Sequence, residues 1–371
     1  MGWPVFGETT VFLKQGPNFM KNQKARYGSF FKSHIFGSPT IISMDAELNR
    51  YILMNESKGL VAGYPQSMLD ILGNSNIAAV HGSAHKFLRG ALLSLVSPQM
   101  LSDIVLPRIN RFMSSQLSNW DGKIIDLQDH TKEMIFLSIM DQIASIDPSS
   151  RRAHYFKKHF FKLVLGTLSL PINLPGTNYR NGVQARKDLL SMLRQILEER
   201  KASDGSYKDM LSCLMKTDEN KYKLNDDEIL DLELTLMYSG YETVSTTSMM
   251  ALKFLHDNPK ALEEIRKEHL AIKERKKPNE PIDFDDIKSM RFTRYLIPKG
   301  WRIYVYTREI NYDPFLYTEP LTFNPWRWME KNSESHNYFL LFGGGTRLCP
   351  AKELGITEIS TFLYYILTRY R

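Results

Sequence analysis

"FLLFGGGTRLCPAKELG", residues Phe339 to Gly355, sets three glycines, an arginine and one of the chain's two cysteines ahead of a helical pattern. A thiolate is stabilised beside positive charge, at a helix N-terminus or on a metal. Cys349 has these ingredients close by. Arg347, two residues earlier, can hold an anion on the same side. Gly343, Gly344 and Gly345 permit turns that a Cβ forbids and let the chain pass close to a flat ligand. Pro350 suits a first helical turn, where its missing N–H costs nothing. The helix behind it would aim backbone N–H groups and a positive dipole at the sulfur. An inert cysteine on a glycine-rich turn satisfies the same residues, so the stretch alone leaves both readings open.

The bulk of the chain is that of an ordinary globular protein. Its 371 residues, 43% hydrophobic and 24% charged, suffice for one large domain or two ordinary ones. The net charge of +7 is spread along the chain with short clusters such as Lys273–Lys277. That pattern is a solvated surface, or a basic face for an acidic partner or an anionic membrane. No alternation of aromatic and basic residues points to nucleic acid. Two distant cysteines, Cys213 and Cys349, make no disulfide framework and suit a reducing compartment. No 18-residue apolar span or signal peptide is evident. The nearest run, Phe160 to Gly176, is interrupted by Lys162, Pro171 and Pro175, and is expected to pack inside the protein rather than lie in an interface.

The order of elements reads as mainly α with minor β structure. Gly28 to Met44 mixes β-branched and aromatic residues with Gly and Pro, the signature of a hairpin. Helical periods dominate from Ala46 to about Pro259. The segment after Pro281 is expected to be irregular, and helix returns from about Lys352. One long helix is sharply marked: Asn225 suits the N-cap, Glu228 stands at N3, and the pattern runs to Asp257 before Asn258-Pro259. Its centre, "SGYETVSTTS" (Ser239–Ser248), is costly for a helix interior, Gly240 alone by about 1 kcal/mol relative to Ala. Either its hydroxyls bond back to the i−4 carbonyls in a tolerated kink, or a ligand approaches the backbone at Gly240, with Glu242 and Thr243 as proton-transfer groups.

These features together resemble one family. The spacing Phe342-x-x-Gly345-x-Arg347-x-Cys349-x-Ala351 is similar to the haem-binding signature of the cytochrome P-450 superfamily. Ser239-Gly240-Tyr241-Glu242-Thr243 resembles its distal oxygen-binding groove. "HKFLR", His85 to Arg89, resembles its helix that reaches a haem propionate, and "FNPWRW" the aromatic stretch with Arg327 in the structural position. The resemblance extends through "RYGSFFKSHIFG", "MNESKGLVAGYPQSMLDILG" and "YSGYETVSTTSMMALKFLHD" to the plant brassinosteroid-6-oxidase branch. It implies the cytochrome P-450 fold as a single large haem-binding domain over residues 1–371. Haem b would be ligated axially by Cys349, with Phe342, Gly345, Arg347, His85, Arg89 and Gly240 as cofactor-binding residues. Glu242 and Thr243 would be catalytic. The resemblance also implies electrons from NADPH through a flavin reductase docking near Cys349 and Lys352, and an apolar steroid substrate oxidised to its 6-oxo form. The location implied is the cytosolic face of the endoplasmic reticulum membrane. A redox or zinc cysteine protein would need a second Cys or His at ligand spacing from Cys349, and none is there.

The chain departs from that pattern in ways that leave a non-catalytic haem- or steroid-binding remnant as the alternative. Set beside the family's pattern, with Met1-Gly2-Trp3-Pro4 at one end and Arg371 at the other, it is expected to lack the membrane anchor and the terminal β segment. Ala351 stands where Gly is commoner. Asp285–Arg294 runs straight into "YLIPKGW", Tyr295 to Trp301, where the family places a helix carrying Glu-x-x-Arg and a hairpin. Glu47–Arg50 and Glu263–Arg266 fit that pattern elsewhere and are expected to be surface helix turns. Arg327 is then expected to be a buried guanidinium lacking its usual partners.

Overall fold

The structure is a computed structural model and describes residues 7–35, 38–56, 60–203, 207–215, 223–278, 280–296, 307–328 and 339–370. Helices α1 (Thr9–Gln15) and α2 (Pro17–Tyr27) precede strands β1 (Phe30–Ile35) and β2 (Ser38–Ser43) and helix α3 (Ala46–Met54). A helical series follows: α4 (Gln66–Leu72), α5 (Gly82–Leu95), α6 (Pro98–Met100), α7 (Leu106–Ser118), α8 (Leu127–Ala144), α9 (Arg151–Thr167), α10 (Asn178–Lys201), α11 (Met210–Met215), α12 (Asp226–Asp257) and α13 (Pro259–Arg275). Short helices α14 (Phe284–Ser289), α15 (Arg291–Leu296) and α16 (Arg308–Asn311) lead to the long α17 (Lys352–Arg369). The mainly helical expectation and the hairpin both hold. Contacts group the chain into two compact units, Met1–Leu60 with Lys299–Cys349, and Val61–Pro298 with Pro350–Arg371.

In the first unit the hairpin is antiparallel, with Phe31 opposite Ile42 and Ile35 opposite Ser38. Its period of two turns Phe31, Ser33 and Ile35 inward, where the apolar pair meets Phe19 and Met20 of α2 and Met44. Ser33, buried on that face, donates to Glu8 Oε2 at 2.6 Å, so its hydroxyl is satisfied.

The second unit is built on α12, which packs on α8 and α17. The N-terminus of α12 is fixed as its residues dictate: Asn225 Oδ1 accepts from Glu228 N at 3.0 Å and Glu228 Oε2 accepts from Asn225 N at 2.9 Å. Tyr241 of α12 meets Phe160 of α9 edge-on at 5.4 Å, and Phe160 lies 5.0 Å from Phe136 of α8. The ends of α8 and α10 and the start of α11 are tied by an ion pair, Arg200 to Asp209 at 2.7 Å, with side chains only 6% and 0% exposed. Ser145, Ser212 and the Ala144 carbonyl complete its hydrogen bonds, which is what lets such a pair stay buried.

Where α9 crosses α10, Gly166 faces Gly182. A Cβ added to Gly166 would stand 2.8 Å from the Gly182 Cα and 2.7 Å from the Ile71 Cδ1 of α4, so only glycine permits this approach.

Four expectations need correction. The run Phe160–Gly176 does not pack inside throughout. Phe160 and Leu163 are buried, but Leu165, Leu168, Leu170, Ile172 and Leu174 are all exposed. The stretch Gly82–Ser118 does pass the length and apolarity of a membrane span. Here it contains α5, α6 and α7, and its Leu88, Leu92, Leu95, Leu101, Leu106 and Ile109 belong to the core. The segment after Pro281 is less irregular than expected, because Asp283 caps α14 by accepting from Asp285 N and Asp286 N at 2.9 and 2.8 Å. Arg327 is half-buried rather than buried, and it donates to the carbonyls of Asn324, Glu319 and Thr322 at 3.2, 2.8 and 3.0 Å, so its charge is well solvated by the backbone. Glu47 and Arg50 are exposed on α3, while Arg266 donates to the Tyr370 carbonyl at 2.7 Å. The junction of Arg294 and Tyr295 lies within α15; residues 297–306, Met1–Phe6 and Arg371 lie outside the described residues.

Candidate functional site

The cysteine loop is shaped by its glycines. Gly343 and Gly345 take φ of 82° and 62°, the left-handed region that other residues adopt only at a cost. A single 3-10 turn follows, Gly345–Arg347. The loop then closes on itself: Cys349 N donates to the Phe342 carbonyl at 2.9 Å, and Gly343 N to the Leu340 carbonyl at 3.1 Å. The first and last sequence-marked positions, Phe342 and Cys349, are thus joined through the backbone. Cys349 is partly exposed. At Gly345 a Cβ would collide with the Leu53 carbonyl at the end of α3, so this glycine is required both for its φ and for the approach of α3.

Arg347 is held from α3's side of the unit. Its Nε donates to Glu56 Oε1 at 2.7 Å, with the two side chains 14% and 10% exposed. The hydroxyl of Thr346 donates to the other oxygen of Glu56. Nothing in the sequence singles out Glu56, which stands 291 positions from Arg347. Pro350 is not in the first helical turn. α17 begins at Lys352 with Ala351 as its N-cap, one residue after the proline.

In the second unit, the interior of α12 opens at its costly centre. Ser239, Glu242 and Thr243 are exposed on adjacent turns, although neighbours such as Met237, Tyr241 and Val244 are buried. The hydroxyls bond backward: Thr235 to the Asp231 carbonyl, Ser239 to Thr235, Thr243 to Ser239 at 2.7 Å each, and Ser245 to Tyr241 at 2.6 Å. They spend their protons on the helix itself, and α12 runs unbroken. Gly240 has a packing reason as well, since a Cβ there would reach 3.1 Å from Ile139 Cδ1 on α8. His85 and Arg89 lie one turn apart on α5, His85 buried and Arg89 half-buried.

The sequence-marked residues therefore fall into three groups: Phe342, Gly345, Arg347 and Cys349 in one loop, Gly240, Glu242 and Thr243 on α12, and His85 with Arg89 on α5. They suit haem. Cys349 offers one soft sulfur ligand, partly exposed on a loop shaped by glycines, and Arg347 a cation for a carboxylate. Among the described residues no three His, Cys, Asp or Glu side chains gather as a metal cage.

Comparison with known proteins agrees. The family described as Cytochrome P450 matches residues 1–294 and 290–371. "Cytochrome P450 85A" of Phaseolus vulgaris is 67% identical over 399 aligned positions, covering 100% of this chain and 85% of that protein. "Cytochrome P450 85A1" of Solanum lycopersicum is 62% identical, again over 399 positions, with 100% and 86% covered. Both alignments are longer than the 371 residues of this chain. Among solved structures, "Retinoic acid bound cyanobacterial CYP120A1" superposes with a TM-score of 0.87 at 25% identity, over 100% of this chain and 91% of that one. The chain belongs to the cytochrome P450 family, haem-dependent monooxygenases whose iron takes a cysteine ligand and whose electrons come from a reductase.

Proposed function

We propose that this chain is a monooxygenase of steroid hormone synthesis that converts a 6-deoxo brassinosteroid to its 6-oxo form. The observation that carries the reading is the high identity to the P450 85A proteins over the whole chain, added to the sequence resemblance to brassinosteroid-6-oxidases. Haem, when bound, supplies oxygen activation, and thiolate ligation favours O–O cleavage. The protein's own work is to hold and orient. The loop Phe342–Cys349 presents the sulfur, Arg347 receives a carboxylate, and the exposed turn Ser239–Thr243 offers a carboxylate and hydroxyls for ordering water. The apolar run Ile77–Val80 after α4 is our candidate for part of the substrate lining. The exposed apolar residues Leu165, Leu168, Leu170, Ile172 and Leu174 are our candidate contact with a membrane surface at the endoplasmic reticulum. A flavin reductase fed by NADPH would dock near the loop carrying Cys349. Reconstitution with that reductase, NADPH and a 6-deoxo brassinosteroid, followed by mass spectrometry, tests the reading. Absence of a 6-oxo product sinks it for this chain.

A second reading rests on one specific observation. The family match breaks at residues 290–294, and both alignments run beyond the chain's own length. We propose that a segment bearing the family's Glu-x-x-Arg helix is missing between Arg294 and Tyr295, leaving a haem- or steroid-binding remnant. The comparison is between this chain and one carrying the corresponding residues of the Phaseolus vulgaris protein. Equal haem content per polypeptide and equal thermal midpoints would remove this reading.

A further inference from the structure

Three consecutive residues of the cysteine loop are gripped by the chain that ends α3. The carbonyl of Leu53 closes on Gly345, one oxygen of Glu56 accepts from Thr346, and the other accepts from Arg347 Nε at 2.7 Å. Both members of the ion pair are largely buried, at 14% and 10% exposure. A pair so shielded is screened little by salt and is costly to break. Its geometry is specific. A guanidinium presents donors along a side edge and at its two terminal nitrogens. Glu56 takes Nε on the side edge, which fixes the plane of the group.

We infer that Glu56 is a positioning residue for the haem: it fixes the plane of Arg347, the loop's cation for a haem carboxylate, and it steadies the turn two residues ahead of Cys349. This rests on the assignment of Cys349 as the haem ligand. The chemistry follows from charge. Arg347 unassisted would be a long flexible cation losing rotamer freedom when it meets a carboxylate. With its Nε already held by Glu56, part of that ordering is made before haem arrives.

The test uses the full chain with wild-type, Glu56→Gln, Glu56→Ala, Arg347→Lys and the Glu56→Gln/Arg347→Lys double variant. Haem loss is followed as transfer to excess apomyoglobin, and thermal midpoints are measured with and without haem. Glu56→Ala is expected to release haem about tenfold faster, the scale of losing one charge-assisted hydrogen bond. Glu56→Gln, which keeps an acceptor for Nε, is expected to lie between it and wild type. The midpoint gained on adding haem should shrink in both. In the Arg347→Lys background, which has no Nε in that place, Glu56→Gln should add nothing further. If haem loss is unchanged while the midpoints with and without haem fall equally, Glu56 is only structural and the inference fails alone. If Glu56→Ala does not fold, Glu56→Gln decides. If the unmodified chain takes up no haem, the inference falls together with the assignment of Cys349.

Discussion

Replacing Glu358 by Gln should stabilise the protein at neutral pH and leave its stability in mild acid unchanged. Glu358 lies on α17, 2% exposed, and it accepts from Ser138 and from Gln142 Nε2 of α8, the latter at 3.1 and 3.3 Å from its two oxygens. Burial pushes the carboxyl up from 4.5 to about 7, and the hydrogen bonds of Ser138 and Gln142 pull it back only in part. The sign follows directly. Between 4.5 and about 7 the folded protein keeps this proton and the unfolded chain releases it. Stability is therefore full below 4.5, falls as the pH rises to about 7, and stays flat above. The span corresponds to about 3 kcal/mol at 1.36 kcal/mol per pH unit, a sizeable part of a domain's total of about 5–15 kcal/mol. The glutamine amide in its place would carry no charge to bury and would keep an acceptor toward Gln142. Urea denaturation of both proteins across this pH range measures the difference. Glu233, whose burial and whose neighbour Asp209 raise it well above the usual carboxylate range, titrates in both proteins and cancels. So does His269, which burial lowers to about 3. Parallel curves for the two proteins would refute the reasoning, and so would a gain that appears only in acid.

Three further outcomes are expected. Cys349→Ala should abolish the thiolate-type band of the reduced carbon monoxide complex, whereas Cys213→Ala, in the other unit with its Sγ 3.7 Å from Met100 Sδ, should keep it; loss of the band in the Cys213 variant alone would overturn the ligand assignment. Gly345→Ala should cost at least about 1–2 kcal/mol from its left-handed φ alone and more from the collision with the Leu53 carbonyl, while Gly355→Ala on α17, where a Cβ meets nothing within 4 Å, should be neutral or stabilising by up to about 1 kcal/mol. Thermal melts of the apo chain separate the two. Thr243→Ala should leave haem binding intact but uncouple NADPH consumption from product in a turning-over enzyme, and consumption still matched to product would reduce Thr243 to a helix hydroxyl.

What the sequence revealed were features encoded within a few residues. Asn225 and Glu228 are three apart and cap α12 as their types require. The hairpin follows from β-branched and aromatic residues set among Gly and Pro, and the glycine–cysteine loop from contiguous spacing. What it concealed depends on residues far apart. Glu56 meets Arg347 across 291 positions, and Gln142 meets Glu358 across 216. Such pairs leave no periodic trace, since each member alone is an ordinary polar residue. Gly240 shows a third case: the cost of a glycine in a helix was legible, but its packing against Ile139 was not. The run after Phe160 misled for a related reason. Apolar composition does not distinguish a core from an apolar surface, and Leu168 to Leu174 turned out to face solvent.

The crossing of Gly166 and Gly182 has a mechanical consequence. Ile71 is wedged against both glycines, within 2.7 and 2.8 Å of where their Cβ atoms would stand. Backbones this close leave no room for a side chain between them, so a change of crossing angle or register between α9 and α10 would meet Ile71 at once. The crossing therefore pins three elements at one point: the end of α9 just ahead of the apolar loop Leu168–Leu174, the start of α10, and the end of α4 just ahead of the turn Gly73–Val80.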